Sequence, residues 1–374
     1  MFNYACLNPI AAIGLDRFGA EFAQTADAAD AQFILVRSAD MHEMPVSDSL
    51  LAVGRAGAGV NNIPIEAMAE KGIPVFNSPG ANANGVKELV LCGMLLASRD
   101  IYGGISWIKE NAADPGIGKS AEKAKKAFAG TEIKGKTLGV IGLGAIGAQV
   151  ASAAIALGMD AVGYDPYLSE EAAKRLDPQI TVTTSLDDIY AASDYITIHV
   201  PALDSTKGMI NADAIARMKD GVIFLNFARD VLVNDADMAA ALASGKVRKY
   251  VSDFPNAASA NMPGAIVLPH LGASPAESAD NGAIMAVDAL KAFAQTGSIV
   301  NSVNFPKLVV GEQTAKYRLC VSFKGDEPAG LPEGKRLLAK RGDIGYAVID
   351  TDTEPDIASV AAAPGVTKAR VIFK

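Results

Sequence analysis

The chain of 374 residues lacks the features that mark secreted, membrane and nucleic-acid-binding proteins. Its three cysteines, Cys6, Cys92 and Cys320, are far apart, which argues against a disulfide framework and favours a reducing compartment, by default the cytoplasm. No window reaches the ~18 consecutive apolar residues of a membrane span, and no basic leader precedes an apolar stretch at the N-terminus. A formal net charge of -8 argues against a partner with a phosphate backbone. We therefore expect neither a membrane nor a nucleic-acid partner.

What the sequence does contain is an alternation of short β-branched runs with alanine-rich helical patterns. QFILVRS and IPVFNSP lie near the start of the chain, and TLGVIGLG, YITIHVP and AIVLPH follow in its middle part. Such alternation is typical of βαβ units, in which helices cover both faces of a parallel sheet. Two such series predict an α/β protein with two doubly wound parallel-sheet domains.

Two long helical patterns mark the expected domain boundaries. One begins at Gly85 and the other at Ser274, and in each the apolar residues recur at helical spacing. If both helices cross between the domains, the first domain comprises residues 1–98 and 275–308 and the second comprises residues 99–274. Because ligands favour domain interfaces, we expect a cleft between the two domains.

A glycine-rich turn in the second domain predicts a nucleotide site. TLGVIGLGAIGAQVASAAIALG supplies strand, turn and helix in order, with Gly142, Gly144 and Gly147 in the pattern G-x-G-x-x-G. The first glycine permits the tight turn, the second lets backbone approach a pyrophosphate, and the third packs helix against strand. Backbone N–H groups near Ala145 and Ile146 would face that anion from the positive end of the helix.

The residue at the end of the next strand indicates which dinucleotide binds. Asp165, in AVGYDP, follows the first glycine by about 20 residues, the distance expected of a ribose-binding carboxylate. A carboxylate accepts hydrogen bonds from both ribose hydroxyls and repels a 2'-phosphate, and no arginine follows it. NAD is therefore predicted in preference to NADP, and no metal site is predicted.

Polar residues follow three of the predicted strands directly. Arg229 follows VIFLNFA, His270 follows AIVLP, and His199 ends YITI. The carboxyl ends of parallel strands share one edge of the sheet, where ligands bind. Transfer of hydride from a hydroxy acid to NAD needs a cation for the substrate and a group that accepts the hydroxyl proton. Arg229 and His270 could supply these two functions.

Five motifs in order resemble the NAD-dependent D-2-hydroxyacid dehydrogenases. They are RAGAGVNNIPIEAMAEKGIPVFNSPGANANGVKEL, the glycine motif, HVPALDSTKGMI, NFARD and PHLGAS, and the resemblance covers roughly residues 50–305. It is greatest to those members that oxidise 3-phosphoglycerate to 3-phosphohydroxypyruvate at the start of serine biosynthesis. The resemblance implies that the first domain binds a small anionic substrate, that the second binds NAD, and that the chain forms a homo-dimer or homo-tetramer.

The resemblance also assigns roles to residues. It makes His270 the proton acceptor and Arg229 the clamp on the substrate carboxylate and carbonyl, places Asp253 against the nicotinamide amide, and gives His199 no proton chemistry. The implied cofactor-binding set is Ser78, Gly142, Gly144, Ala145, Ile146, Gly147, Asp165, His199, Val200, Pro201, Phe227, Ala228, Arg229, Asp253, His270 and Gly272. The implied substrate-binding set is Arg55, Gly57, Ala58, Gly59, Asn61, Asn82 and Lys87, with Arg55 the first candidate for a substrate phosphate.

The chain departs from the family pattern in two places. The family places a glutamate that holds the catalytic histidine five residues after the aspartate matched by Asp253, and this chain has Ala258 there. We expect the imidazole to be less firmly held as a result. Residues 312–374 resemble an ACT module, a βαββαβ unit that binds amino acids, but only three strand patterns are evident. We expect one strand of the unit to be absent. We therefore interpret the segment as an assembly domain or a remnant rather than as a domain through which serine regulates the enzyme.

Two other functions are compatible with the sequence. The substrate could be another 2-hydroxyacid such as glycerate, lactate or hydroxypyruvate, although Arg55 and the basic run KSAEKAKKAF favour a phosphate. The missing glutamate could also mark a protein that senses NAD(H) without catalysis. The presence of both Arg229 and His270 favours an enzyme.

Overall fold

The computed structural model describes all 374 residues, which divide into two compact units. Unit 1 comprises residues 1–82 and 276–374, and unit 2 comprises residues 83–275. Each unit contains a parallel sheet with helices, and unit 1 carries an additional antiparallel sheet, so the predicted α/β class is confirmed.

The N-terminal part of unit 1 is a five-stranded parallel sheet in the order β2-β1-β3-β4-β5. Its elements are β1 (Phe2–Cys6), α1 (Ala12–Leu15), β2 (Phe22–Gln24), β3 (Phe33–Val36), β4 (Ala52–Arg55), α2 (Ile65–Glu70) and β5 (Val75–Phe76). All four residues of β3, FILV, are buried. A strand covered on both faces has no polar side to alternate with, which explains the continuous apolar run.

Unit 2 is built on a seven-stranded parallel sheet in the order β12-β11-β10-β9-β6-β7-β8. Its helices are α3 (Ala83–Ser98), α4 (Ile101–Glu110), α5 (Ile117–Ala124), α6 (Ala145–Ala156), α7 (Glu170–Ala173), α8 (Leu186–Ala192), α9 (Ala212–Arg217) and α10 (Asp235–Ser244). Its strands are β6 (Thr137–Ile141), β7 (Asp160–Tyr164), β8 (Thr181–Thr183), β9 (Tyr195–Ile198), β10 (Val222–Asn226), β11 (Val247–Ser252) and β12 (Ala265–Val267). The strand order reverses between β6 and β9, which is where a doubly wound sheet binds its ligand.

The first boundary between the units lies at residue 82 rather than at residue 98. The reason is that α3 buries Val86, Val90 and Met94 in the same core as Leu138 and Val140 of β6. Helical periodicity showed that α3 buries a face, but not which sheet that face would pack against.

The second segment of unit 1 returns through a long helix to a four-stranded antiparallel sheet. Its elements are α11 (Ala276–Thr296), β13 (Tyr317–Lys324), β14 (Lys335–Arg341), β15 (Ile344–Thr351), α12 (Ile357–Ala362) and β16 (Val366–Phe373). The strand order is β14-β15-β13-β16. Cys320 and Tyr346 from this sheet share a core with Phe293 of α11, which is why the C-terminal sheet belongs to unit 1.

The expectation that the C-terminal segment lacks a strand was wrong. The sequence of β14, KRLLAKR, is charged and mostly exposed, so it gave no strand pattern, yet it pairs along its whole length with β15. The element of a βαββαβ unit that is absent is the first helix, because residues 325–334 form a loop. Their sequence, GDEPAGLPEG, contains three glycines and two prolines, which disfavour a helix.

A buried ion pair holds the C-terminal sheet. Arg318 donates from Nε and Nη2 to the two carboxylate oxygens of Asp350, at 2.6 and 2.9 Å. Arg318 also donates from Nη1 to the carbonyl oxygens of Thr296 and Gly311, and Thr314 donates to Asp350 from its backbone N–H and its hydroxyl. These bonds satisfy the charges that burial would otherwise destabilise.

None of the helices taken alone has the length and apolar character that a membrane crossing requires. Helices α3 and α4 reach the required length and composition only when taken together, and they are bent by 66° where they meet.

Candidate active site

The glycine turn follows β6, and the fold itself explains two of its three glycines. Gly142 has φ +95°, and a Cβ there would lie 2.6 Å from the carbonyl oxygen of His199. A Cβ on Gly147 would lie 1.9 Å from the carbonyl oxygen of Gly142. Both positions therefore exclude any side chain.

The remaining glycine of the turn is not explained by packing. Gly144 has φ -69°, which any residue can adopt, and a Cβ there would meet no atom within 4 Å. It is the N-cap of α6, so free backbone N–H groups of the first helical turn, including those of Ala145 and Ile146, lie next to open space. A ligand that needs close approach to the backbone accounts for glycine at this position.

Asp165 stands at the end of β7 and is held by the same turn. Its Oδ2 accepts a hydrogen bond from the N–H of Leu143 at 3.0 Å, and its Oδ1 accepts one from the N–H of Tyr167 at 2.9 Å. A carboxylate has about four lone-pair sites, so acceptor capacity is left for ribose hydroxyls. The structure thus fixes the orientation of the carboxylate beside the turn.

His199 follows β9 and lies beside the glycine turn. Its Nε2 is 2.9 Å from the hydroxyl of Thr197, and its Nδ1 is buried without a hydrogen-bond partner. Burial lowers the pKa of His199 to about 3. An imidazole of such low basicity stays neutral near pH 7 and is a poor proton acceptor. Val200 and Pro201 continue the chain from the same strand end.

Arg229 is positioned by a tight turn after β10. The buried Asn226 donates from Nδ2 to the carbonyl oxygen of Arg229 at 2.9 Å and accepts from the N–H of Ala228 at 3.2 Å. The guanidinium donates from Nη1 to the carbonyl oxygen of Ala228 at 2.6 Å. Its central carbon also lies 5.1 Å from the centroid of the Phe254 ring, within cation–π range.

His270 is held in a conformation that is rare for a residue other than glycine. Its φ is +32°, in the left-handed region. Two bonds from the buried Asp253 fix this turn: the carbonyl oxygen accepts the N–H of His270 at 2.9 Å, and Oδ2 accepts the N–H of Gly272 at 3.0 Å. Such strain persists only where surrounding structure enforces it and is common at active sites.

Asp253 carries an unused acceptor. Its Oδ1 is buried and has no hydrogen-bond partner. Burial raises the pKa of Asp253, while the N–H of Gly272 and the charges of His270 and Arg229 oppose that rise. A buried carboxylate oxygen without a donor is costly unless a ligand supplies one, and an amide NH₂ would do so.

Phe254 was not among the predicted residues, although it contacts both predicted catalytic side chains. Its ring centroid lies 4.4 Å from that of the His270 imidazole. The predicted site rests on polar and charged residues and so does not include Phe254, which follows Asp253 directly in VSDFP. The sequence feature that could have indicated Phe254 is an aromatic residue at the end of a strand beside the predicted site.

Ala258, at the position where the family resemblance implies a glutamate, is exposed, and no carboxylate within unit 2 is hydrogen-bonded to the His270 side chain.

The predicted residues of unit 2 therefore share one edge of its sheet. The glycine turn, Asp165 and His199 follow β6, β7 and β9. Phe227, Ala228 and Arg229 follow β10, Asp253 follows β11, and His270 and Gly272 follow β12. Lys87 lies on α3, where its Nζ donates to Asn84.

The predicted residues of unit 1 cluster at the carboxyl end of its own sheet. Gly57, Ala58, Gly59 and Asn61 form the loop after β4, which ends at Arg55, and Asn82 precedes α3. The buried Ser78 lies with its Oγ 2.7 Å from the carbonyl oxygen of Gly282 and 3.1 Å from that of Arg55, and its N–H donates to Gly57. Its hydroxyl is thus engaged as a donor within unit 1, and the contact of Ser78 with the cofactor stays a prediction.

Comparison with known proteins decides the family. The chain is 34% identical to D-3-phosphoglycerate dehydrogenase of Mycobacterium tuberculosis over 90% of its own length and 67% of the relative's length. It is 31% identical to the Haemophilus influenzae protein of the same name over 92% and 87%. The chain belongs to the D-2-hydroxyacid dehydrogenase family. Residues 91–272 match the model of the D-isomer specific 2-hydroxyacid dehydrogenase NAD binding domain, so the chain is an NAD-dependent enzyme.

A solved structure supports the same fold. A glyoxylate reductase from Paecilomyes thermophila superimposes with a TM-score of 0.67, covering 81% of this chain and 98% of that chain at 24% identity. At this identity the likeness speaks for the fold alone.

The two kinds of glycine in the turn give a direct test of the NAD site. The Gly144→Ala variant should fold normally but bind NADH about tenfold more weakly, a loss of about 1.4 kcal/mol, because the new methyl group occupies the approach to the backbone. The matched Gly147→Ala variant should instead lose about 1–3 kcal/mol of stability, because its methyl group meets backbone. NADH titration and urea unfolding measure the two effects. Unchanged NADH affinity in Gly144→Ala would show that the pyrophosphate does not approach there.

Proposed function

We propose that this enzyme oxidises 3-phosphoglycerate to 3-phosphohydroxypyruvate, with His270 as the proton acceptor and Arg229 as the clamp on the substrate. The observation that carries the proposal is the placement of both side chains on one ring, that of Phe254, at the ligand-binding edge of the NAD-binding sheet. Two relatives that carry the name D-3-phosphoglycerate dehydrogenase, of which the match covers 67% and 87%, support the choice of substrate.

The residues of unit 2 fit the cofactor. Gly144 leaves space beside free N–H groups for the pyrophosphate, Asp165 presents acceptor capacity to a ribose, and the unpartnered Oδ1 of Asp253 suits the carboxamide. Bound NAD supplies a nicotinamide that takes up hydride from the C2 carbon of the substrate. The protein's own contribution is to bind, orient and move a proton.

His270 takes the proton of the C2 hydroxyl in this proposal. As that proton leaves, a carbonyl forms at C2, and the guanidinium of Arg229 stabilises the negative charge that develops on its oxygen. The two-pronged guanidinium also matches the substrate carboxylate, for which arginine is better suited than lysine. The desolvation of Arg229 is offset by charge-assisted hydrogen bonds once an anion is bound.

Arg55 is proposed to select for the phosphate group. It ends β4 and precedes the glycine-rich loop of unit 1. We expect Arg55→Ala to raise KM for 3-phosphoglycerate by about tenfold or more, since a charge-assisted contact contributes about 1.5–3 kcal/mol, and to leave kcat/KM for glycerate nearly unchanged. Initial rates with NAD and a panel of phosphorylated and unphosphorylated 2-hydroxyacids measure this.

The control for charge is Lys307→Ala, which removes an exposed cation elsewhere in unit 1 and should alter neither rate. Equal losses on both substrates in Arg55→Ala would remove Arg55 from phosphate recognition. If lactate or glycerate is oxidised in preference to the phosphorylated acid, the unphosphorylated acid rather than 3-phosphoglycerate is the substrate, and the proposed chemistry is unchanged.

A further inference from the structure

One aromatic ring lies against both proposed catalytic side chains. Phe254 follows β11, which lies between β10 and β12 in the sheet. Arg229 follows β10 and His270 follows the loop after β12, so the ring comes from the middle of three neighbouring strands. The guanidinium carbon is 5.1 Å and the imidazole centroid 4.4 Å from the ring centroid.

The backbone next to this ring fixes the histidine turn. Asp253 accepts the N–H of His270 through its carbonyl oxygen and the N–H of Gly272 through Oδ2, at 2.9 and 3.0 Å. The position of Phe254 relative to the His270 backbone is therefore set by two hydrogen bonds of the preceding residue. The ring limits the directions in which the imidazole can turn from that fixed backbone.

The carboxylate that the family resemblance implies beside such a histidine is not at its expected position. Ala258 stands where the family places a glutamate, and it is exposed. Within unit 2, His270 and Arg229 interact electrostatically with the carboxylate of Asp253. None of the hydrogen bonds of Asp253 goes to the imidazole side chain of His270. Within unit 2 the Phe254 ring contacts the imidazole.

We propose that Phe254 is a positioning residue that aligns the His270 imidazole and the Arg229 guanidinium through contact with both, in place of a hydrogen-bonded carboxylate. The Phe254 ring packs against the imidazole, whose plane is tilted by 42° to it, and against the guanidinium, and these two contacts restrain both groups. The imidazolium that forms when His270 takes up the hydroxyl proton is stabilised by the same contact with the Phe254 ring. The reaction that this serves is the one proposed above, on which the kinetic part of the inference rests.

The kinetic test compares two substitutions at this position. Phe254→Leu keeps an apolar side chain but removes the ring, and we expect kcat to fall by about 10- to 100-fold, as for a reacting group displaced by a fraction of an ångström. NADH affinity should change by less than about threefold, because a contact with the catalytic pair is not a contact with the dinucleotide. Phe254→Tyr keeps the ring and should restore kcat to within about threefold of the parent enzyme.

Two further measurements separate positioning from general stability. Phe224→Leu removes a buried ring from β10 that contacts Tyr250, so it should lower Tm without lowering kcat as Phe254→Leu does. With 3-phosphoglycerate deuterated at C2, the isotope effect on kcat should be larger in Phe254→Leu than in the parent, because misalignment slows the chemical step itself. A Phe254→Tyr variant as slow as Phe254→Leu, or a Phe254→Leu variant with unchanged kcat, would overturn the proposal.

An NMR measurement tests the contact without any substrate. The chain has only three histidines, so the His270 imidazole resonances can be assigned from a His270→Gln sample. The Phe254 ring current should shift these resonances, and the shift should disappear in Phe254→Leu and persist in Phe254→Tyr. Identical His270 resonances in the parent and in Phe254→Leu would overturn the inference. If the His270 resonances change between the variants as expected but the protein oxidises no 2-hydroxyacid, the proposed function is refuted. The contact between Phe254 and His270 is then still supported.

Discussion

The His270→Ala variant is expected to lose about 10²- to 10⁴-fold in kcat, the range that general acid–base catalysis contributes, while it binds NADH nearly as well as the parent enzyme. The physical reason is that the methyl group cannot accept the C2 hydroxyl proton, and hydride does not leave a carbon whose hydroxyl keeps its proton. Steady-state oxidation of 3-phosphoglycerate and NADH titration measure the two quantities. The main-chain bond from His270 to Asp253 stays available to alanine, although the left-handed φ of +32° adds some strain.

A second histidine provides the control for this variant. His42→Ala removes an exposed imidazole that pairs with Asp40, and it should leave kcat unchanged. His199 is less suited to this purpose because its imidazole is packed beside the glycine turn. If His270→Ala retains more than about a tenth of the parent kcat at every pH tested, another group accepts the proton and the mechanism proposed for His270 is wrong.

The second large effect is expected on stability. Either Arg318→Leu or Asp350→Ala should lower the free energy of unfolding by about 3–5 kcal/mol, because each leaves one buried charge without its partner. Removing both charges in Arg318→Leu/Asp350→Leu should cost less than the sum of the two single changes. Urea unfolding followed by circular dichroism measures these differences, and the C-terminal sheet should be the first part to become sensitive to protease.

The same ion pair makes stability depend on pH in a defined direction. Although burial opposes it, the bonds from Arg318 and Thr314 lower the pKa of Asp350 from 3.8 to about 2 in the folded protein. A group with a lowered folded pKa contributes stability that is fully present above 3.8 and is lost as pH falls toward about 2. This pH-dependent contribution should be absent in Asp350→Ala.

A surface ion pair serves as the control. Lys246 donates to Asp220, whose side chain is 91% exposed, and Asp220→Ala should leave the urea midpoint nearly unchanged. If the Arg318 and Asp350 variants are no less stable than Asp220→Ala, the C-terminal sheet is not held by its buried charges.

The sequence was sufficient for features that depend on local pattern. The glycine turn, Asp165 and the strand-end positions of Arg229 and His270 follow from spacing and from the rule that carboxyl ends of parallel strands share an edge. These features could be predicted because each needs only a strand, a turn and the direction of the sheet.

Features that depend on which surfaces meet could not be read in this way. The charged strand β14 is defined by its pairing with β15. Helix α3 belongs to unit 2 because its apolar face packs into the core around Leu138. The role of Phe254 depends on three strands being neighbours in a particular order. The expected homo-oligomer stays a prediction.

The most direct measurement of the central claim is NADH formation when the purified enzyme is mixed with NAD and 3-phosphoglycerate, with a carbonyl reagent present to trap the product. We predict steady NADH formation with 3-phosphoglycerate, a much lower rate with glycerate or lactate, and a rate lower by at least about 100-fold in His270→Ala. The absence of NADH formation with 3-phosphoglycerate while another 2-hydroxyacid is oxidised, or a rate in His270→Ala close to that of the parent enzyme, would contradict the account.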